Sequence, residues 1–343
     1  NIGSRAKKLF LVFSYLTLLL VVGAFSSIVA DTFNGFTENE AGQLVHNTVN
    51  GTAAAISCLF IALALPFGYF VYRRRANMLL STLVGIAAII GCIAIGLHFP
   101  IFLSARTWLI IVGVYILIAS ILPVWILLQP RDYLSSFLLY GMMLLAVVGI
   151  LGANPTMELP AYTGFGGIDG TSHLFPVLFI TVACGAISGF HSLVGSGTTS
   201  KQLDREGDAK LIGYGGMLIE CVLAVIALIT VSYLFKDGIM PGGAPTQVFA
   251  SGLATMINTF GETDLYETVY ALLILAVSAF ALTSLDTGTR LARYMFQEFF
   301  LEDGKTYKQA RGYKRVLTDP FVATAITVVL GMRMMGVLLI SSL

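Results

Sequence analysis

The stretch GAISGFHSLVGSGTTSKQ, residues 185–202, interrupts an apolar run that begins at Leu174. It holds four glycines, one histidine and several serines and threonines. A glycine inside a helix costs about 1 kcal/mol relative to alanine, so this composition disfavours a continuous helix. The stretch therefore predicts a helix that breaks within residues 185–200.

The rest of the chain has the composition of an integral membrane protein. Hydrophobic residues make up 57% of its 343 residues and charged residues 11%, and its mean hydropathy is +0.85. A soluble domain carries about 25% charged residues. The net charge of +1 leaves no electrostatic footprint for nucleic acid, so we expect the lipid bilayer and no nucleic acid as a partner.

Nine apolar segments are long enough to cross a bilayer, which takes about 20 helical residues each. They are residues 9–30, 52–72, 77–97, 107–128, 134–153, 174–195, 211–235, 266–286 and 320–341. We expect an all-α polytopic helical bundle that forms one transmembrane domain over residues 1–343. Because the chain opens on Asn1 rather than Met, we also expect the first membrane helices of the full protein to precede it.

The basic residues predict the orientation of these spans. If the start of the first span is cytoplasmic, seventeen of the twenty Lys and Arg residues fall on the cytoplasmic side, as membrane proteins prefer. The exceptions are Arg106, Lys236 and Arg333, and the last lies within a span with no role that the sequence can assign. We expect a multi-pass protein of the cytoplasmic (inner) membrane. Residues 288–302 predict an amphipathic helix at its cytoplasmic interface.

The predicted helix break is the candidate solute site. Non-helical backbone within a membrane is tolerated where it is buried in protein or lines a wet cavity, and transporters use such breaks to bind solutes. The alternative is a packing seam in which small residues let two helices approach closely. The candidate substrate-binding residues are Gly189, Phe190, His191, Ser192, Ser196, Gly197, Thr198 and Thr199.

His191 and Glu220 are ionisable side chains within predicted spans, where such residues are costly and often functional. His191 can relay a proton or donate to a substrate carboxylate, or it can simply be a neutral histidine bonded to a backbone carbonyl. Glu220 has no basic partner in its own span, so it is protonated, paired across helices or bound to a cation. We predict that Glu220 takes part in proton or cation coupling.

A second group of oxygen ligands ends the 266–286 span. Thr283, Ser284 and Asp286 lie within about one turn of helix, and such oxygens suit a hard cation such as Na⁺. The alternative is an ion pair between Asp286 and Arg290, four residues apart on the helix. We expect no metal site and no cofactor beyond a coupling ion, which is H⁺ or Na⁺.

The sequence offers little for an enzyme or a channel, which are the alternative classes. GSGTTSK at residues 195–201 lacks the glycine before lysine of a phosphate-binding loop, and neither HExxH nor GxSxG occurs. No repeated filter segment of the kind that an ion channel uses is present. A coupled transporter explains the broken helix and Glu220 best.

Two blocks resemble the carbon starvation protein A family. The first is HLFPVLFITVACGAISGFHSLVGSGTTSKQLDREGDAKLIGYGGMLIECVLAVIALI, residues 173–229, and the second is ALTSLDTGTRLARYMFQE, residues 281–298. Residues 173–302 carry the best resemblance and the first two spans a looser one. The tail after Tyr313 does not resemble the family.

The resemblance implies a secondary transporter of a bacterium or archaeon that takes up pyruvate or small peptides. It also implies the fold of the amino acid–polyamine–organocation superfamily, with two inverted repeats of five helices. The 174–195 span would then be the broken first helix of the second repeat, with 107–128 and 134–153 inserted between repeats. Thr283 and Ser284 would match a cation-holding pair of sodium-coupled relatives. The substrate and the oligomeric state stay open.

Overall fold

The computed structural model describes residues 2–38, 42–74, 77–160, 162, 164–166, 173–236, 238, 239, 241, 242, 244–260, 266–301 and 306–341. The described chain is mainly helical and divides into two compact units. Unit 1 comprises residues 1–145 and 264–343, and unit 2 comprises residues 146–263.

The described residues of unit 1 form helices, most of them long, and one small hairpin. The hairpin pairs β1 (Phe36–Glu38) with β2 (Leu44–His46) in antiparallel fashion. The helices are α1 (Ile2–Thr32), α2 (Thr48–Gly68), α3 (Met78–His98), α4 (Ala105–Ile121), the first part of α5 (Leu128–Ala153), α10 (Tyr266–Phe300), α11 (Tyr313–Leu317) and α12 (Pro320–Ser341). A π-helical turn, Tyr69–Arg73, extends α2, and a 3₁₀ turn, Tyr307–Gln309, precedes α11.

Side-chain caps explain where several of these helices begin. Asn47 accepts a hydrogen bond from the backbone N–H of Asn50 at 3.1 Å, at the start of α2. Asn77 accepts one from Leu79 N at 3.0 Å and Ser104 one from Thr107 N at 3.4 Å, at the starts of α3 and α4. These bonds satisfy backbone donors that the first helical turn leaves free, which matters more where water is scarce.

Helix α10 is the centre of unit 1. It packs against α1, α2, α4 and α12, and most of its residues from Leu273 to Arg293 are buried. One apolar cluster joins it to these helices through Leu285, Val22, Trp108, Ile116 and Val328. The dense packing fixes the positions of the polar side chains that α10 carries inward.

Unit 2 holds the end of α5 and four further helices. A π-helical turn, Leu174–Leu178, leads into α6 (Phe179–Ala186), α7 (Gly189–Gly197), a 3₁₀ turn at Thr199–Lys201, α8 (Asp208–Leu234) and α9 (Pro245–Phe260). Helices α8 and α9 approach closely at Gly252, where an added Cβ would lie 2.4 Å from the Cγ2 of Thr230. Only glycine allows this separation, because any side chain at residue 252 would push the helices apart.

Every predicted span contains an apolar helix, although three of these helices are short. Six described helices are long and apolar enough to cross a membrane: Arg5–Thr32, Thr48–Val71, Leu79–His98, Leu128–Ala153, Asp208–Leu234 and Tyr266–Phe300. Three shorter apolar helices, Ala105–Ile121, Leu174–Ala183 and Pro320–Met334, correspond to the other three predicted spans. The protein is therefore a polytopic helical membrane protein, while nine complete spans and the inverted-repeat fold stay predictions.

The prediction that residues 288–302 form an amphipathic interfacial helix is confirmed for helicity as far as Phe300, but its two arginines are buried rather than at a surface. Helix α10 continues without a break to Phe300, and Arg290 and Arg293 are only 4% and 5% exposed. Arg290 is held by the last carbonyls of α4, since its Nη2 donates to Ala119 O at 2.7 Å and to Leu122 O at 2.9 Å. A cation at the negative end of a helix is favourable, which explains the burial of this charge.

Candidate functional site

The predicted helix break is present in unit 2. Helix α6 ends at Ala186, and α7 begins at Gly189. Between them Ile187 has φ −134° and ψ 37°, and Ser188 has φ −51° and ψ 117°, so both residues leave helical geometry. The chain thus exposes backbone groups where a continuous helix would bond them internally.

Helix α7 is a short helix between two irregular segments. At its start the Ser188 side chain accepts a hydrogen bond from His191 N at 3.4 Å, and Ser196 Oγ donates to Ser192 O at 2.9 Å. Thr198, which caps its end, has φ −127° and ψ −58°, and its buried Oγ1 has no partner among the described residues. The hydroxyl of Thr198 thus has hydrogen-bonding capacity that the described residues leave unused.

The candidate substrate-binding residues are accessible in unit 2. Gly189, His191, Ser192 and Ser196 are exposed, and the other four are partly buried: Phe190, Gly197, Thr198 and Thr199. The imidazole of His191 forms no hydrogen bond to the described residues. The bonded neutral histidine that was the alternative is therefore not observed in that part of the chain, and a solute role for these residues stays a prediction.

Glu220 lies near the middle of α8, a helix of 27 residues, and is exposed. Its carboxylate has no hydrogen bond and no ion pair with the described residues. A lone carboxylate within an apolar helix needs a proton, a cation or a partner from outside this part of the chain. The coupling role of Glu220 stays a prediction.

In unit 1, Asp286 takes part in a buried ion pair. Its side chain is fully buried, and its Oδ2 accepts hydrogen bonds from Arg131 Nη1 and, at 2.8 Å, from the hydroxyl of Tyr115. Arg131 Nη1 also contacts the hydroxyl oxygen of Tyr115. Three helices meet at this point, since Tyr115 belongs to α4, Arg131 to α5 and Asp286 to α10.

Arg131 also binds a second carboxylate. Its Nη2 lies 3.2 Å from Asp132 Oδ1 and 3.2 Å from Thr283 Oγ1. Thr283 Oγ1 donates to Asp132 Oδ1 at 3.0 Å and also contacts Ala279 O at 3.1 Å. We call Tyr115, Arg131, Asp132, Thr283 and Asp286 the Arg131 cluster.

The two carboxylates of the Arg131 cluster differ in access. The side chain of Asp286 is 0% exposed and that of Arg131 3%, whereas the side chain of Asp132 is 39% exposed. With both carboxylates ionised the cluster carries one excess negative charge. The buried Oδ1 of Asp286 and the Nε of Arg131 have no hydrogen-bond partner among the described residues. A charged group this deeply buried is costly unless it is paired, so the cluster is well suited to bind one further positive charge.

The other predicted residues of α10 behave differently. Ser284 is partly buried and forms no hydrogen bond to the described residues, so it stands apart from the Arg131 cluster. The alternative of an ion pair between Asp286 and Arg290 is wrong, because Asp286 pairs with Arg131 and Arg290 binds the end of α4.

Arg131, Asp132 and Tyr115 are the residues that sequence reasoning missed. Arg131 was expected in a cytoplasmic loop, but it lies in the first turn of α5 and its side chain is buried. The sequence LQPRDYL, residues 128–134, could have indicated Arg131 and Asp132, because a basic and an acidic residue stand next to each other at the start of an apolar span. An arginine in that position and an unpaired Asp286 on another span are natural partners.

A polytopic helical membrane protein with an interrupted helix and a buried ionic cluster has the features of a secondary transporter. The family model described as "Carbon starvation protein CstA" matches residues 1–241 and 236–341, and the chain belongs to this family. The match begins at the first residue and extends almost to the end. The expectation that the tail after Tyr313 departs from the family is therefore wrong.

Several curated relatives are transporters. The chain is 36% identical over 241 residues to a peptide transporter CstA of Bacillus subtilis, covering 60% of this chain and 40% of that protein. It is 38% identical over 258 residues to a peptide transporter CstA of Helicobacter pylori, covering 60% and 36%. A pyruvate/proton symporter BtsT of Escherichia coli is 49% identical over 125 residues, covering 35% and 17%.

These relatives place the chain in a family of transporters rather than enzymes. The chain spans less than half the length of the curated relatives that it matches. No solved structure matches the chain.

Proposed function

We propose that this chain is part of a secondary active transporter that imports small carboxylate-bearing nutrients, pyruvate or small peptides, across the cytoplasmic membrane of a prokaryote. The names of the relatives support this substrate class, since they are peptide transporters and a pyruvate/proton symporter. The observation that carries the coupling mechanism is the Arg131 cluster, in which one buried guanidinium contacts two carboxylates.

The helix break supplies the solute site in this proposal. The first backbone N–H groups of α7 have no partner within the helix, and a helix N-terminus favours a negative group. His191 lies in the first turn of α7 and adds a positive charge when it is protonated. A substrate carboxylate can thus be bound by these amides, by the hydroxyl of Ser192 and by the imidazole, all near the start of α7.

The Arg131 cluster favours H⁺ over Na⁺ as the coupling ion. A sodium ion needs several oxygen ligands free of other cations. The guanidinium of Arg131 lies within hydrogen-bond distance of oxygens on Asp132, Thr283 and Asp286, so a sodium ion at these oxygens would face a fixed positive charge. A proton avoids this repulsion because it binds covalently to one carboxylate oxygen.

Asp132 is the carboxylate that we assign to the transported proton. It is the more exposed of the two acids and lies near the start of α5, so we expect a proton from water to reach it more easily. A proton on Asp132 removes the excess negative charge and leaves Arg131 and Asp286 as a neutral pair. The cluster is then easier to enclose in a low-dielectric interior, which links proton binding to the change in access.

The test is uptake by the full-length protein in sealed liposomes. Labelled pyruvate and a labelled dipeptide are offered separately under an imposed pH gradient and an imposed Na⁺ gradient. We expect a pH gradient to drive one of the two solutes. Asp132→Asn imitates the protonated residue, so it should abolish gradient-driven accumulation but preserve exchange of solute across the membrane.

Asp204→Asn, an exposed acid in the loop before α8, is the matched control and should transport normally. Glu220→Gln tests the other candidate acid in the same assay. Uptake driven by Na⁺ alone, or normal accumulation by Asp132→Asn, would contradict the proton assignment. Failure of both solutes under both gradients would contradict the proposed substrate class.

A further inference from the structure

A basic cavity lies where the chain passes from α10 to α12. Its volume is about 510 Å³, and its walls include Phe300, Gln309, Arg311, Tyr313 and Lys314. Phe300 ends α10, a helix long enough to cross the membrane, and α12 begins six residues after Lys314. The cavity is thus close to the end of a membrane helix.

The chain around the cavity carries a net positive charge. Residues 301–319 contain five basic residues, Lys305, Lys308, Arg311, Lys314 and Arg315, against three acidic ones, Glu302, Asp303 and Asp319. Of the basic residues, Lys308, Arg311 and Arg315 are exposed, and Lys305 is outside the described residues. Of the neighbouring acids, Glu298 pairs with Lys7 at 2.9 Å and Asp319 accepts a hydrogen bond from Phe321 N at 3.0 Å, while Glu302 and Asp303 lie outside the described residues.

Phe300 and Tyr313 line the cavity, and further aromatic and apolar residues lie close to them along the chain. The rings of Phe296, Phe299 and Phe300 form a contact group, with centroids 5.1 Å apart for Phe296 and Phe300 and 5.2 Å for Phe299 and Phe300. Tyr313 is 68% exposed and Val316 60%. Aromatic residues prefer the membrane–water interface, where one side of a site is apolar and the other wet.

We propose that this basic cavity binds the phosphate-bearing headgroup of an anionic phospholipid. Arg311 and Lys314 supply positive charge at the cavity wall, and guanidinium groups bind phosphate oxygens through paired hydrogen bonds. The exposed apolar side chains beside the cavity offer a surface for acyl chains. A soluble anion would make no use of that surface, which is why the lipid fits the site better.

Lipid retention by the purified full-length protein tests the proposal. The protein is prepared with a mixture of phosphatidylglycerol and phosphatidylcholine, and the lipid that stays bound is measured by native mass spectrometry. We expect the protein to retain phosphatidylglycerol preferentially. The double variant Arg311→Gln with Lys314→Gln should lower this binding about tenfold, since each basic residue near a membrane surface contributes several-fold to the affinity.

Arg205→Gln with Lys210→Gln is the matched control, because it removes two positive charges from the start of α8 instead. It should leave lipid retention unchanged. Arg311→Lys with Lys314→Arg keeps the charge and should keep most of the binding, which separates loss of the site from loss of folding.

Three outcomes would overturn the proposal. The first is that the protein shows no preference for phosphatidylglycerol. The second is that both charge-removing variants lose the preference equally, which would indicate general attraction to a charged surface. The third is that inorganic phosphate at millimolar concentration displaces the lipid and binds the protein without it, which would indicate a site for a free anion.

Discussion

Arg131 lies between two carboxylates that differ in access to water, one on α10 and one beside it on α5. The guanidinium can serve both because it is planar and presents several N–H donors in a fixed arrangement, which an ammonium group cannot reproduce. Lysine at this position would present a single nitrogen, so it could not place separate nitrogens against the two carboxylates as Nη1 and Nη2 of Arg131 do. Arg131 therefore links the buried Asp286 to the more exposed Asp132.

Removing the guanidinium alone should destabilise the protein. Arg131→Met leaves Asp286 buried without its partner, and breaking a buried pair in this way costs about 3–5 kcal/mol. The double variant Arg131→Met with Asp286→Leu removes both charges and should recover much of the lost stability. We expect the double variant to fold but to lose proton-driven uptake.

The measurements are thermal unfolding of the purified protein in detergent and uptake in liposomes. Ser284→Ala is the control on α10, because Ser284 has no part in the cluster and its loss should change neither quantity. A single variant as stable as the parent protein would mean that the ion pair contributes nothing to the fold.

At the level of helices, close packing between α8 and α9 depends on one glycine. Gly252→Ala should destabilise unit 2 by about 1–3 kcal/mol, because the new methyl group collides with Thr230 and helix packing has little room to adjust. Gly213→Ala on α8 is the matched control. Residue 213 is exposed and has no neighbour within 4 Å of an added Cβ, so its change should be neutral or stabilising by up to about 1 kcal/mol.

Proteolysis or thermal unfolding in detergent measures both glycine variants. Equal effects of the two substitutions would show that Gly252 acts through helix propensity and not through contact with α8.

Local chemistry explains which elements the sequence could predict. The break before α7 follows from glycine and serine next to each other in an apolar run, a signal read from neighbouring residues alone. The early end of α4 at Ile121 and the continuation of α10 to Phe300 were missed. The sequence pattern predicts that the arginines of α10 lie at the membrane interface. In the structure the carbonyl oxygens at the end of α4 accept hydrogen bonds from Arg290.

The Arg131 cluster was out of reach for the same reason. Asp286 and Thr283 could be found because they lie close together on one helix. Arg131 and Tyr115 come from elsewhere in the chain, more than 150 residues before Asp286, and only packing brings them to it. The charge distribution instead predicted a cytoplasmic loop position for Arg131, because basic residues beside a span are expected to face water.

For the whole molecule, the buried arginines change the evidence for orientation. Arg131, Arg290 and Arg293 are all buried, so they no longer count among the seventeen basic residues that pointed to the cytoplasm. The remaining fourteen still outnumber Arg106 and Lys236 on the other side. We therefore keep the prediction that the start of α1 is cytoplasmic.

Cysteine labelling of the full-length protein in intact cells tests this orientation. With the native cysteines replaced, a membrane-impermeant maleimide should label Arg106→Cys from outside and should reach Lys308→Cys only after the cells are opened. Both positions are exposed, so failure to label has no steric explanation. The reverse pattern would invert the assigned topology.

The length of α10 has a consequence for the membrane around it. Its 35 residues extend about 52 Å, whereas the hydrocarbon core of a bilayer is about 30 Å thick. A helix this long tilts or projects, and a thicker bilayer draws it upright. Since Thr283, which donates to Asp132, lies at its midpoint, lipid thickness sets how far this carboxylate is from water. Liposomes of increasing acyl-chain length should therefore show an optimum in proton-driven uptake, and the bilayer would act as a tuning element of the transporter.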